Sequence, residues 1–261
     1  MDKLINTLEH ELKLQKIGRQ LLSVLGLASL GWLIFLSPIN QPESYHHFSD
    51  TSSFLGLPHF WNIISNLPFL FVGIYGLLQL NKMNRNNHQF RILFIGVIGI
   101  SIGSGYYHYF PNDDTLIWDR LPMTTVFMGF MSIVISECIH RKIGKNLFFP
   151  LLILGAVSIV YWIVWNDIRL YAVVQFYPVF AIPIILICFR TEHFSPKGFW
   201  LLVLFYVFAK VCETFDSEIH QYLVVISGHS LKHIVASSAI YFWINDYITQ
   251  HQLSQKSPII D

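Results

Sequence analysis

The chain contains 261 residues, of which 53% are hydrophobic and 13% are charged, and its mean hydropathy is +0.49. Soluble domains contain roughly 25% charged residues, so this composition excludes an ordinary soluble domain. The formal net charge of +1 is uninformative about nucleic acid, but the sequence contains no basic cluster, so no nucleic-acid partner is expected. The cysteines fall within apolar stretches, which argues against a disulfide framework. They are Cys138, Cys188 and Cys212.

The N-terminal tail, residues 1–19, carries Leu4, Leu8 and Leu12 among charged residues. This spacing predicts a short amphipathic helix on the cytoplasmic face of a membrane. The apolar stretch that follows, residues 20–38, lacks a small-residue cleavage site. We therefore expect it to be a retained span and not a removed signal peptide.

Further apolar stretches follow along the chain, each close to the ~20 residues that cross a bilayer as a helix. With the first, the predicted spans are 20–38, 60–80, 92–109, 121–139, 148–165, 171–189, 199–215 and 225–245. They predict an all-α, polytopic membrane helix bundle with eight spans and no attached soluble domain. Residues 39–59 form the longest connection, and residues 246–261 form a C-terminal tail.

The distribution of Lys and Arg predicts the orientation, because these residues favour the cytoplasmic side. Both tails and every second connection carry basic residues, whereas the other four connections contain only Arg120 and Arg169. Both termini are therefore predicted to be cytoplasmic, with the connection 39–59 external. The lack of a visible targeting signal and the residue usage fit a bacterial inner membrane, although an endomembrane location stays open.

Polar residues near the ends of the apolar stretches are the strongest functional signal, because ionisable groups inside a membrane are costly and usually functional. They are Ser104, His108, Asp119, His229 and His233. With a helix rise of ~1.5 Å per residue, the span directions place all five within roughly 10 Å of the external boundary. His229 and His233 are four residues apart and should face the same side of one helix.

Three imidazoles and a carboxylate match the ligands and base of a hydrolytic zinc centre. The candidate ligands are His108, His229 and His233, and Asp119 is the candidate general base. Ser104 could donate a hydrogen bond to a developing oxyanion, or could orient a ligand. Taken singly, each histidine could instead be an interhelical hydrogen bonder or an interfacial residue.

Two other polar groups allow alternative interpretations. Lys210, Glu213 and Asp216 follow one face of the seventh span and could form an interhelical ion pair or support the metal site from behind. The external connection contains a second group, which could bind another cation or remain as solvated residues near the lipid headgroups. Its members are His46, His47, Asp50 and His59.

Four sequence strings resemble the alkaline ceramidase family, whose members are seven-helix membrane amidases in a superfamily that includes the adiponectin receptors. The strings are Phe-Trp-Asn-Ile-Ile-Ser-Asn at 60–66, Gly-Ser-Gly-Tyr-Tyr-His at 103–108, Trp-Asp-Arg-Leu-Pro-Met at 118–123 and Gly-His-Ser-Leu-Lys-His at 228–233. The resemblance covers about residues 59–245. The span 20–38 would then be an addition to a seven-helix core at 60–245.

The resemblance implies a function and a set of roles. It implies zinc held by His108, His229 and His233, with Asp119 and Ser104 as catalytic residues. It implies a ceramide-like membrane lipid as substrate, cleaved to a fatty acid and a sphingoid amine. One departure concerns calcium: eukaryotic members of the family have an acidic calcium site that includes a glutamate directly before Phe-Trp-Asn, where this chain has His59. A calcium site of the family type is therefore doubtful.

The leading hypothesis from the sequence is a zinc-dependent hydrolase of a lipid amide. One alternative is an ester hydrolase that acts on another lipid with the same site. The other is a receptor or transporter in which the metal is structural. The sequence does not specify the acyl-chain length, the headgroup or the oligomeric state.

Overall fold

A computed structural model describes residues 2–82, 88–189 and 195–256. Within these residues the fold is all-α apart from one small hairpin, which confirms the predicted fold class. The helices are α1 (Asp2–Phe35), α2 (Phe60–Ile64), α3 (Leu67–Lys82), α4 (His88–Tyr109), α5 (Asp113–Val134), α6 (Arg141–Trp165), α7 (Arg169–Cys188), α8 (Lys197–Thr214), α9 (Asp216–Leu223) and α10 (Gly228–Lys256). A π-helical turn, Ile135–Ile139, follows α5, and a 3₁₀ turn, Glu43–His46, precedes the hairpin.

Six of the described helices are long and apolar enough to cross a membrane, and the pair α8–α9 would make a seventh if it forms one span bent by 80°. The chain is a multi-pass membrane protein. The eighth predicted span falls on α10, whose apolar sequence is interrupted by His229, Lys232 and His233. The count of eight therefore stays a prediction.

Helix α1 is continuous from Asp2 to Phe35. The amphipathic segment predicted for residues 1–19 and the span predicted for 20–38 therefore form one helix of 34 residues. Apolar side chains along it are largely exposed, including Leu27 at 69% and Phe35 at 85%. Exposed apolar side chains of this kind suit contact with lipid.

The chain divides into two compact units. The first comprises Met1–Gln41 and Phe127–Phe194, in which α7 packs against α1 and α6. The turn between α6 and α7 holds the end of α1 in this unit. Arg169 donates hydrogen bonds to the carbonyl oxygens of Leu33 and Leu36, and the carboxylate of Asp167 accepts one from the amide of Ile39 at 3.2 Å.

The second unit comprises Pro42–Val126 and Ser195–Asp261, and it contains every candidate site residue. Helix α10 packs against α8, α3 and α2, and α4 packs against α3 and α2. The hairpin pairs Ser53–Phe54 with Leu57–Pro58 through Leu55 and Gly56, which have φ of 51° and 79°. Positive φ at both turn residues is typical of a two-residue hairpin and favours glycine at the second position.

Helix α5 begins earlier than the predicted span, at Asp113 instead of residue 121. The side chain of Asn112 accepts a hydrogen bond from the amide of Thr115 at 3.0 Å, which caps the helix. Asp113 and Asp114 follow in the first turn, where negative charge is stabilised by the helix dipole. Asp119 consequently lies in the second turn, and Pro122 lies inside the helix.

Candidate metal centre

Three histidines from two helices meet inside the second unit. His108 lies in the last turn of α4, and His229 and His233 lie in the first turns of α10. Their ring centroids are 4.8 Å apart for His108–His229, 5.2 Å for His108–His233 and 4.9 Å for His229–His233. The predicted meeting of His108 with His229 and His233, which lie far from it in sequence, is confirmed.

One ligand atom from each ring lies within 4.8 Å of the other two. Among residues 2–82, 88–189 and 195–256, this is the one group of three or more His, Cys, Asp or Glu residues that could hold a metal ion. All three are buried, with exposures of 0%, 6% and 5%. Within the described part of the chain, no comparable group is formed by the loop residues His46, His47, Asp50 and His59.

The histidine nitrogens support metal binding independently of their distances. In the described part of the chain, neither ring nitrogen of buried His108 has a hydrogen-bond partner. Leaving a buried polar atom unpaired costs about 1–3 kcal/mol, so a group of this kind requires an explanation. A metal ion bound by neutral imidazoles would supply the missing interaction, and zinc has this ligand preference. The donor set therefore fits the expected ion.

The start of α10 is fixed by two hydrogen bonds that also place His229. Ser227 accepts a hydrogen bond from the amide of Ser230 at 3.1 Å, and Asp216 accepts one from the amide of His229 at 2.7 Å. Both acceptors satisfy amides that have no partner inside the helix. Asp216 thus accepts a hydrogen bond from the backbone of α10. Among the described residues, the ion pairs of Glu213 are with Lys210 and Lys232, not with a group that includes Asp216.

A glycine allows α10 to approach α8 and α9 closely. A Cβ atom on Gly228 would lie 2.1 Å from the carbonyl oxygen of Cys212 and 2.8 Å from the Cα atom of Asp216. Both atoms belong to the backbone, so neither can move aside easily. Glycine at this position therefore permits the contact through which Asp216 reaches the start of α10.

Ser104 and Asp119 are brought together by a close contact between α4 and α5. A Cβ atom on Gly103 would lie only 1.9 Å from the carbonyl oxygen of Trp118, so this position requires glycine. The next residues along the two helices are Ser104 and Asp119, both buried, and the Ser104 hydroxyl group interacts with the Asp119 carboxylate. Asp119 also interacts electrostatically with Lys232, whose Nζ atom is 3.0 Å from Nε2 of His229.

The charged residues near the centre form a network that the sequence indicated only in part. Glu213 pairs with Lys210 in its own helix, as expected from their spacing. It also pairs with Lys232 of α10 at 2.9 Å, which makes the interhelical ion pair. Lys232 lies between two of the histidines in sequence and did not stand out, because a lysine at a helix surface is usually solvated.

Two further residues that the sequence did not indicate also touch the centre. Oγ of Ser65 is 2.8 Å from Nδ1 of His233. The ring of Phe48 is in edge contact with His108 and His229, at centroid distances of 4.6 and 4.8 Å. Ser65 belongs to the string at 60–66, which was the available signal, whereas an isolated loop phenylalanine offers none.

Comparison with known families agrees with this geometry. The family model described as Ceramidase matches residues 57–258, most of the chain. The chain belongs to the ceramidase family. No curated protein matches it. Membership in the ceramidase family supports a ceramide-hydrolysing function and implies a hydrolase that acts on amides and takes a lipid substrate.

Proposed function

We propose that this protein is a zinc-dependent membrane hydrolase that cleaves the amide bond of a ceramide-like lipid to a fatty acid and a sphingoid amine. The observation that carries the proposal is the buried group of His108, His229 and His233, with ligand atoms within 4.8 Å of one another. Ser104 lies one helical turn from His108 along α4, and its side chain interacts with that of Asp119 of α5. Family membership supplies the substrate class.

In this proposal the three histidines would hold the zinc ion through one nitrogen each. A zinc ion bound there supplies a Lewis acid that polarises a carbonyl group and makes water acidic enough to react near neutral pH. Ser65 contacts Nδ1 of His233 and donates its own proton to the carbonyl oxygen of Asn62 at 3.1 Å. Nδ1 of His233 then carries a proton, and Nε2 is left with a free lone pair.

Asp119 has the role of the general base. Its carboxylate accepts one proton from the attacking water as the water oxygen bonds to the amide carbon. The C–N bond then breaks, and the same proton passes from Asp119 to the leaving nitrogen, which departs as the amine. The new carbon–oxygen bond remains in the fatty acid, so the atoms balance with one water consumed.

Ser104 has the role of a hydrogen-bond donor at the carbonyl oxygen, which becomes negative during the reaction. Its pairing with Asp119 keeps the hydroxyl group beside the reacting atoms and also orients the carboxylate. The buried environment of both residues strengthens these interactions, because water screens them less.

The test combines metal analysis with turnover of the purified full-length protein. We expect about one zinc per chain, and loss of metal and activity in His229→Ala and His233→Ala. The control His10→Ala changes an exposed histidine of α1 and should keep both. A wild-type protein without bound metal, or a fully active His229→Ala variant, would refute the zinc site.

The role of Asp119 separates the enzyme from a receptor or transporter with a structural metal. Asp119→Asn should lower turnover by about 10²–10⁴-fold while metal content stays unchanged. Asp114→Asn, at an exposed position of the same helix, is the matched control and should retain activity. Product analysis on a panel of lipid amides and esters decides the bond: a long-chain amine supports ceramide cleavage, whereas an alcohol supports the ester alternative.

A further inference from the structure

The connection between α1 and α2 contacts the histidine centre through one aromatic ring. Phe48 lies 4.6 Å from His108 and 4.8 Å from His229 between ring centroids, and these two histidine rings are 4.8 Å apart. All three contacts have an edge-to-face geometry, which is a favourable arrangement for aromatic rings. Phe48 therefore covers the side of the centre that His108 and His229 form.

The residues on either side of Phe48 in sequence are attached to two different helices. On one side, the Nε2 atom of His46 is 3.1 Å from a carboxylate oxygen of Asp113 at the start of α5. On the other, the amide of Ser49 donates to Asp216 at 3.0 Å, at the start of α9. Because these anchors flank Phe48 in sequence, they hold its ring in place over the histidines.

The position of this contact in the sequence makes it independent of the family match. The match begins at residue 57, whereas His46, Phe48 and Ser49 all precede it. Family membership therefore does not explain why a phenyl ring lies against two of the three histidines. An aromatic ring at this position removes water from the imidazoles and offers an apolar surface to a ligand.

We propose that Phe48 is a selectivity residue of the histidine centre. Its ring closes the side formed by His108 and His229 to water and to small hydrophilic molecules. It admits ligands with an apolar part that can pack against the ring, as a lipid has. The proposal rests on the proposed function only in placing a metal-binding centre at these histidines.

The first experiment measures access to the histidines without relying on metal or activity. Purified, metal-stripped protein is treated with diethyl pyrocarbonate, and modification of His108 and His229 is followed by peptide mass spectrometry. Exposed His140 serves as the internal reference. In Phe48→Ala we expect both site histidines to react about tenfold faster than in wild type, because the contact no longer has to open first.

The matched control is Phe54→Ala, which removes another phenyl ring from the same connection. Phe54 is 57% exposed and packs on Phe60, away from the histidines. Its removal should leave the reactivity of His108 and His229 unchanged. Equal reactivity of the two site histidines in wild type, Phe48→Ala and Phe54→Ala would overturn the proposal.

A second variant keeps the test decisive if Phe48→Ala does not fold. Asp113→Ala removes one anchor of the segment, at a side chain that is 55% exposed, and leaves the phenyl ring intact. Because the segment is then held less firmly, the reactivity of His108 and His229 should rise, but by a smaller factor than in Phe48→Ala. Phe48→Leu, which removes the ring but keeps an apolar side chain, is measured beside it. If both variants fold and the reactivity of His108 and His229 is unchanged in both, the proposed role of Phe48 is wrong.

The second experiment tests selectivity itself with zinc-loaded protein. Removal of zinc by hydrophilic EDTA is compared with removal by 1,10-phenanthroline, which is flat and apolar. The ratio of the phenanthroline rate to the EDTA rate should be high in wild type and should fall about tenfold in Phe48→Ala. A ratio that Phe48→Ala does not change would overturn the selectivity role.

The two proposals fail in different ways. If the wild-type protein binds no zinc, the proposed function fails, while the reactivity of His108 and His229 still tests Phe48. If the protein hydrolyses lipid amides but Phe48→Ala behaves like Phe54→Ala, the proposed function stands and the role of Phe48 is wrong.

Discussion

Oγ of Ser65 lies 2.8 Å from Nδ1 of His233, across a sequence separation of 168 residues. Ser65 follows the short helix α2 and donates its proton to the carbonyl oxygen of Asn62, so it accepts from the histidine. A partner of this kind fixes the orientation of a ligand ring and the nitrogen that it presents to a metal. The break between α2 and α3 thus places the hydroxyl group that contacts the histidine centre.

We expect Ser65→Ala to weaken zinc binding by about 10–100-fold while the protein stays folded. The physical reason is that His233 loses the acceptor that keeps the proton on Nδ1. Zinc affinity is measured by competition with a chromophoric chelator. Ser101→Ala is the control, because it removes another buried hydroxyl group, which bonds to the carbonyl of Asn66 at 2.8 Å. Equal zinc affinities in the two variants would contradict the role of Ser65.

Glu213 neutralises two lysines, Lys210 in its own helix and Lys232 in α10. In Glu213→Gln the ammonium of Lys232, 3.0 Å from Nε2 of His229, loses the carboxylate that pairs with it directly. We expect lower stability, because the partly buried ammonium of Lys232 loses its ion-pair partner. We also expect weaker zinc binding, because the positive charge of Lys232 then repels the zinc ion more strongly. Unfolding midpoints and zinc titrations measure the two effects.

Lys210→Met is the comparison for Glu213→Gln. It removes a lysine that is 37% exposed and leaves the pair of Glu213 with Lys232 intact. Its effects on stability and zinc affinity should therefore be smaller. If Lys210→Met weakens zinc binding more than Glu213→Gln does, the balance of charge near His229 is not set by Glu213.

The sequence was sufficient to predict the three histidines because two independent patterns agreed. The spacing of His229 and His233 put both rings on one helix face, and the alternation of basic residues put His108 in the same layer. Each pattern is local or depends only on the order of the spans. The side-chain pairing of Ser104 with Asp119 is consistent with the same reasoning, although their catalytic roles remain proposals.

Contacts that depend on exact helix ends and on loop conformation could not be predicted from the sequence. The position of Ser65 depends on where α2 stops, and that of Phe48 depends on anchors at Asp113 and Asp216. The start of α5 was misplaced because hydropathy marks where apolar residues begin, whereas the helix begins at its cap, Asn112. Caps and polar first turns extend a helix beyond its apolar stretch.

Asp50 is fully buried, and hydrogen-bond donors of the protein surround its carboxylate. One oxygen accepts from the amide and the hydroxyl group of Ser52, and the other accepts from the amide of Asn62 at 3.0 Å. His59 bonds to the backbone carbonyl of Asp50. These contacts attach the connection 39–59 to α2.

We therefore expect EGTA or added calcium to leave the unfolding midpoint and turnover of the wild-type protein unchanged. Asp50→Asn should instead destabilise the protein by about 1–3 kcal/mol, with or without calcium, because buried amides lose a charged acceptor. Asp114→Asn, at an exposed position, is the control. A calcium-dependent rise in the midpoint of wild type that disappears in Asp50→Asn would indicate a calcium site.

Asp167 makes the stability of the first unit dependent on pH in the acidic range. Hydrogen bonds from the Arg169 guanidinium lower the pKa of Asp167 from 3.8 to about 2. The hydroxyl group of Tyr161 donates a further hydrogen bond to the Asp167 carboxylate at 3.1 Å. The folded pKa lies below the unfolded value, so the contribution of this carboxylate is fully present above about pH 4. It is lost as the pH falls towards 2.

Asp167→Asn should consequently lower the unfolding midpoint strongly at pH 7, and the difference from wild type should shrink steadily between about pH 4 and pH 2. Thermal unfolding in detergent at pH 7, 4, 3 and 2 measures this difference. Tyr161→Phe provides the matched control, because it removes one hydrogen bond to Asp167 and leaves the carboxylate and Arg169 in place. The decrease in unfolding midpoint that Tyr161→Phe causes should vary less with pH than the decrease that Asp167→Asn causes.

The contradicting outcome is a decrease in midpoint for Asp167→Asn that is the same at pH 7 and pH 2. It would show that the ionised carboxylate does not hold α1 to the turn between α6 and α7.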